Sequence, residues 1–248
     1  MNIFRVRSIL DLDPKNGAVQ KSVDGQSPCS KSVNWKDWPL IANSQNDGDF
    51  DWTYPDGVGN ELMPDEWIML QTHYVNATTQ KTPEQGHVEV NLWAIPKSEL
   101  VYPMGTVFAT KQSIRVCQHN PTPKFNGTCQ INSDKPVQII GANGHFHSRG
   151  TNFEIYSWDG TSATTPDAAA RFYDSKAWDD PPMLRDFSVP LPAGGGVKWN
   201  CSFSAPADSC GNPADSCCFN FGGMVESQEH CNAFVYYWPK GNTSKNCF

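Results

Sequence analysis

His145 and His147 stand one residue apart in the stretch GANGHFHSRG (141–150), with a glycine on either side. In an extended strand, residues i and i+2 point to the same face. Two imidazoles on one face can share a metal ion. They do not close its coordination, so a third ligand must come from elsewhere in the chain. Imidazole suits zinc and copper, and Cu(II) binds such nitrogen donors most tightly among the divalent first-row ions. The chain has six histidines, so a histidine as third ligand would be one of His73, His87, His119 and His230. His230 stands just before an aromatic-rich run and next to Cys231. A disulfide at Cys231 would pin the backbone beside that ligand. His73 lies in the strand-like MLQTHYVN (69–76), His87 opens another apolar run as a partly exposed polar residue, and His119 sits in the loop-like CQHNPTP (117–123). Met224 offers a thioether six residues before His230, and as an isolated methionine it reads as core.

The elements that position such a pair must be strands. Helical signals are scarce, while runs rich in β-branched and aromatic residues occur at 67–75, 87–95, 137–147, 152–158, 196–204 and 232–238. Several alternate polar with apolar residues, and Gly, Pro, Asn and Asp punctuate the gaps. The pattern predicts an all-β fold, an antiparallel jelly-roll sandwich. One short helical turn is expected within TSATTPDAAARFYDS (161–175). Residues 1–66 are less regular: DLDPKNGAV (11–19) reads as strand, turn and strand, and the acidic 43–60 segment reads as a loop without the ligand spacing of an EF-hand. Pro103 and Gly105 mark a seam. It divides the chain into a reduced N-terminal β domain over 1–103 and a C-terminal copper-binding jelly-roll domain over 104–248.

Nine cysteines and Asn-x-Ser/Thr sequons at Asn76, Asn126, Asn200 and Asn242 point to an oxidising compartment and several disulfides. A cysteine-rich zinc protein would show paired C-x-x-C knuckles, and the sequence has none. The adjacent pair Cys217 and Cys218 is expected to bond elsewhere rather than to itself. A net charge of −7 argues against nucleic acid and anionic membrane as partners, since both are held by Lys/Arg clusters. No apolar run reaches the roughly 18 residues of a membrane-spanning helix. The first ten residues lack the apolar stretch of a signal peptide, so secretion would require a signal outside this sequence.

Three segments, in this order, resemble the ascorbate-dependent type II copper monooxygenases, the family of peptidylglycine α-hydroxylating monooxygenase and dopamine β-monooxygenase. PDGVG (55–59) followed by MLQTHYVN is similar to the family's segment ending in Leu-Gln-x-His-Tyr. GHFHSRG (144–150) is similar to its His-x-His-x-x-Gly motif at the oxygen-activating copper. GGMVESQEHCNAFVYYWP (222–239) is similar to the segment that supplies that copper's last ligand, then a disulfide cysteine, then an aromatic strand. The likeness spans roughly residues 55–248 and implies the family's architecture of two jelly-roll domains, each with one copper.

The departures from the family pattern are specific. The family's oxygen-activating copper takes two histidines and a methionine, and His230 occupies the methionine position. The resemblance therefore implies one copper on His145, His147 and His230, shifted toward Cu(II) because a thioether favours Cu(I) more than an imidazole does. The second copper of the family needs a His-His pair together with the Leu-Gln-x-His-Tyr histidine. Only His73 matches, as the remnant of that site, and the sequence holds no adjacent His-His pair. Asn143 replaces the arginine that grips a peptide carboxylate, and Phe234 replaces a tyrosine, while Asn232 matches the family's asparagine. Without the arginine, a carboxylate loses its charge-assisted partner. The resemblance also implies disulfides Cys201–Cys231 and Cys117–Cys247.

The expected function is a secreted copper-dependent oxidoreductase that activates O₂ at one type II site. Its electrons would come from an external reductant such as ascorbate or from an electron-donor partner protein, and its small-molecule or peptide substrate is undefined. The alternative is a secreted copper-binding or interaction module without turnover. A zinc hydrolase is a third reading, because three histidines with an open position can activate water.

Overall fold

The computed structural model describes residues 1–6, 38–45, 51–72, 88–161, 167–242 and 245–247. Their strands in chain order are β1 (Asn2–Val6), β2 (Leu40–Asn43), β3 (Val58–Gly59), β4 (Trp67–Gln71), β5 (Tyr102–Pro103) and β6 (Gly105–Thr110). There follow β7 (Arg115–Val116), β8 (Lys124–Gln130), β9 (Val137–His145), β10 (Gly150–Trp158), β11 (Arg171–Ser175) and β12 (Val189–Leu191). The last are β13 (Gly196–Phe203), β14 (Phe219–Phe221), β15 (Gln228–Glu229), β16 (Asn232–Trp238) and β17 (Lys245–Cys247). The fold is all-β, as the alternation predicts, and the helical turn expected within 161–175 is a short 3₁₀ turn at Ala168–Ala170.

The chain divides into two compact units, Met1–Asn43 with Leu62–Val101, and Ser44–Glu61 with Tyr102–Phe248. The second unit begins next to the Pro103 seam but also takes in Ser44–Glu61, so it is not continuous in sequence. Among its described residues, the first unit contains a three-stranded antiparallel sheet ordered β2-β1-β4, with Ile3, Phe4, Trp38 and Leu40 buried. Residues 88–95, expected as a strand, are not one. Leu92, Trp93 and Ile95 are exposed there, and no strand among the described residues pairs with that segment.

The second unit is a β sandwich. One sheet is ordered β12-β9-β16-β6-β17, antiparallel except where β17 joins β6 in parallel. The other is antiparallel and ordered β11-β10-β13-β8. Side chains alternate across each strand. The inner face of the first sheet supplies Val107, Ala109, Ile139, Ala142, Ala233 and Val235 to the core, and the second supplies Phe153, Ile155, Val197, Trp199 and Phe203. Each fully buried aliphatic or aromatic side chain contributes about 1.5–3 kcal/mol, which makes this interface the main support of the unit.

Four disulfides add to it: Cys117–Cys218, Cys129–Cys247, Cys201–Cys231 and Cys210–Cys217. The Cys201–Cys231 bridge is the one expected. Cys217 and Cys218 bond to separate partners, also as expected. The expected Cys117–Cys247 bridge is corrected. Val116 pairs with Phe219, so the ladder between β7 and β14 brings Cys117 beside Cys218. Cys247 is carried by β17 to a position opposite Ala109 of β6, where it reaches Cys129 of β8 in the facing sheet. Cys29 lies outside the described residues. Bridges in this number indicate an oxidising environment. No helix among the described residues is long and apolar enough to cross a membrane.

Candidate metal centre

His145 is the last residue of β9, and His147 lies just beyond it. Between them Phe146 is buried, stacked on Phe153 at 5.9 Å between ring centroids and packed edge-on against Phe203 at 6.4 Å. The alternation therefore drives one phenyl ring into the core and sets both imidazoles on the opposite side. The flanking glycines are steric requirements of this arrangement. A Cβ at Gly144 would overlap the Phe153 ring, and one at Gly150 would overlap the Phe146 ring.

His230 arrives on the neighbouring strand. β16 pairs antiparallel with β9 in a register that sets Asn232 opposite His145, so the residue two before Asn232 falls beyond the end of β9, beside His147. The ring centroids are 5.3 Å apart for His145 and His147, 5.3 Å for His145 and His230, and 4.3 Å for His147 and His230. One nitrogen from each ring lies within 4.8 Å of the other two. His147 and His230 are 3% and 9% exposed, so the three rings converge at a largely desolvated edge of the sandwich. The Phe221 ring covers His230 from 5.0 Å. Cys231, bonded to Cys201 of β13, fixes the backbone next to His230 to the second sheet.

The Nδ1 of His147 lies 2.8 Å from the Gln228 carbonyl oxygen. A carbonyl only accepts, so Nδ1 carries the proton and Nε2 is the lone-pair nitrogen. Metal-bound histidines are commonly held through their second nitrogen in this way.

Behind the histidines is a buried ion pair that the sequence reading missed. The Glu229 carboxylate is fully buried and accepts from the backbone N–H groups of His147 at 3.0 Å and Arg149 at 3.2 Å. The Arg149 guanidinium donates to it at 3.1 Å, and also to the Val225 carbonyl at 2.9 Å and the Glu226 carbonyl. It stacks 3.7 Å over the Phe219 ring. Burial pushes the Glu229 carboxyl up to about 7, against the opposing pull of Arg149 and the two backbone donors. The signal for this pair lies in Glu229-His230 and His147-Ser148-Arg149: an acid directly before one clustered histidine and a base two residues after the others.

His73 and His87 lie outside the described residues. His119 is exposed and gathers with Cys117 and Cys218, but those two sulfurs are one disulfide and not the thiolates a metal would take. Met224 is 60% exposed in a turn closed by its N–H donating to the Gln228 side chain at 3.0 Å, so it is not core. Asn143 is fully buried and donates its amide to the Pro181 and Pro182 carbonyls, both at 3.2 Å. Phe234 stacks on Phe108 at 5.0 Å. Asn232 is 3% exposed, between His145 on one side and Thr110 on the other.

No family model and no curated protein matches the chain. The chemistry of the site therefore rests on its own geometry. Three convergent imidazoles, one with a defined tautomer, form a donor set suited to a borderline transition metal such as copper or zinc.

Proposed function

We propose that this is a secreted copper protein of the type II monooxygenase kind, in which His145, His147 and His230 hold one copper ion used to activate O₂. The observation that carries the reading is the convergence of the three imidazoles to within 4.8 Å, from strands whose order and motifs resemble that family. The donor set fits the ion: it is all nitrogen, partly desolvated, and oriented by the His147–Gln228 hydrogen bond. When bound, copper supplies one-electron redox chemistry and affinity for O₂, which no side chain here offers.

The chain's own residues do the rest. Phe146 and the Cys201–Cys231 bridge hold the ligand backbones in place, and Phe221 limits water at His230. Electrons come from a small reductant such as ascorbate or from a donor protein. The substrate is not a glycine-extended peptide, because no arginine stands at position 143 and the asparagine there is committed to two proline carbonyls.

That same commitment of Asn143, with Phe234 stacked on Phe108, supports a second reading, a copper-binding module without turnover. One experiment separates the two. Oxygen uptake by the copper-loaded protein with ascorbate should exceed that of an equal concentration of free copper and fall to that background in His145→Ala. Copper binding with no uptake above background would leave the module.

A further inference from the structure

We infer that Glu229, with Arg149, is the positioning pair of the three-histidine site, locking the loop after β9 to the segment that carries His230. The inference rests on the metal reading above for its functional meaning. It is drawn from contacts that reach both ligand segments at once. One carboxylate oxygen takes the N–H of His147, and the other takes the N–H and guanidinium of Arg149. Glu229 itself directly precedes His230, and Gln228 before it receives the His147 ring proton. Arg149 extends the lock backward by holding the Val225 and Glu226 carbonyls. Both ligand-bearing segments thus hang on one buried ion pair, the Arg149 and Glu229 side chains being 12% and 0% exposed.

A purely structural ion pair at this depth is easily replaced by apolar residues. A carboxylate that accepts from the backbone of one ligand and adjoins another does more: it sets the distance and orientation between the two rings. Removing charge from Glu229 leaves the N–H of His147 and the guanidinium of Arg149 without their strong acceptor. The loop at 147–149 then drifts relative to 228–230, and the His147–Gln228 hydrogen bond is lost with it.

The test uses Glu229→Gln, which keeps shape, and Arg149→Lys, which keeps charge but not the forked guanidinium. The first readout needs no metal. In the apo protein, imidazole ¹⁵N NMR should show His147 as a single Nδ1–H tautomer, and each variant should show a mixture. The second readout is Cu(II) affinity by competition with a chelator, expected to fall about 10–100-fold in Glu229→Gln, the range for lost outer-shell partners. The Cu(II) EPR spectrum should split into more than one species. If Glu229→Gln does not fold, Arg149→Lys decides by the same two measurements. A single retained Nδ1–H tautomer with unchanged affinity in a folded variant would overturn the inference. If the wild-type protein binds no copper, the metal reading fails, while the tautomer measurement still decides whether the pair positions His147.

Discussion

The His147 imidazole and the Gln228 carbonyl are joined by a 2.8 Å hydrogen bond that links the two chain segments carrying the three clustered histidines. It ties a residue just past β9 to one 81 positions away, two residues before His230. Ligand orientation is thereby coupled to the pairing of β9 with β16 rather than left to loop geometry.

This coupling predicts unequal effects at the third ligand. His230→Ala should weaken copper binding by 10–100-fold or more, since a direct ligand is worth at least what an outer-shell partner is. His230→Met should keep binding but shift preference toward Cu(I), because a thioether is the softer donor. Met224→Ala should change neither, its side chain being mostly in solvent. Chelator competition under oxidising and reducing conditions measures all three, and a large loss in Met224→Ala would show that the ligand assignment is displaced by six residues.

The Cys201–Cys231 bridge should matter to both stability and metal binding. Its removal in a Cys201→Ala, Cys231→Ala double variant is expected to cost about 2–5 kcal/mol in chemical denaturation. Copper affinity should fall as well, because His230 loses its anchored neighbour. Non-reducing peptide mapping should recover this bridge together with Cys117–Cys218, Cys129–Cys247 and Cys210–Cys217. Recovery of a Cys117–Cys247 peptide would contradict the strand ladder that sets these pairings.

Parts of this arrangement were legible in the residues and parts were not. The alternation in GHFHSRG showed two imidazoles on one face with a phenyl ring between them, because side-chain direction in a strand is a local property. The choice among His73, His87, His119 and His230 was not local. It depends on which strand neighbours β9 and in what register, and Asn232 faces His145 only through a pairing that closes across most of the sandwich. The same limit misplaced Cys117, whose partner follows from the short β7–β14 ladder, and made 88–95 look like a strand, although no strand among the described residues pairs with it. Strands β6 and β8 are not among the runs the composition marks, and pairing with β16 and β13 keeps them extended.

The glycines beside the histidines should resist substitution. Gly150→Ala places a methyl group in the Phe146 ring, and overpacking of this kind costs about 1–3 kcal/mol. Because Phe146 lies between His145 and His147 and anchors their backbone in the core, thermal stability and copper affinity should fall together. Stability unchanged within error in a thermal melt would mean that Phe146 can move without cost, contrary to its packing against Phe153 and Phe203.

Alkaline pH should destabilise the fold through buried Tyr173 and partly buried Tyr54. Burial pushes the Tyr54 and Tyr173 phenols up to about 12, and Tyr173 donates to the Pro182 carbonyl at 3.0 Å. In the unfolded chain they ionise near 10. The stability they contribute is fully present below about pH 10 and is lost as pH rises toward 12, because there the unfolded state releases protons that the folded state retains. Denaturation midpoints measured against pH, with tyrosinate absorbance followed in parallel, check this. Two tyrosines fewer in that slope after Tyr54→Phe and Tyr173→Phe is the expected result, and an unchanged slope would refute it.

The proposed site holds one copper on three histidines. The direct measurement is elemental analysis with EPR on protein loaded with Cu(II) and freed of loosely held metal, beside a variant with His145, His147 and His230 all changed to Ala. One equivalent of copper per chain, with a nitrogen-rich type II spectrum that disappears in the triple variant, is the predicted result. No tightly held copper, two equivalents, or a signal that survives loss of all three histidines would contradict it.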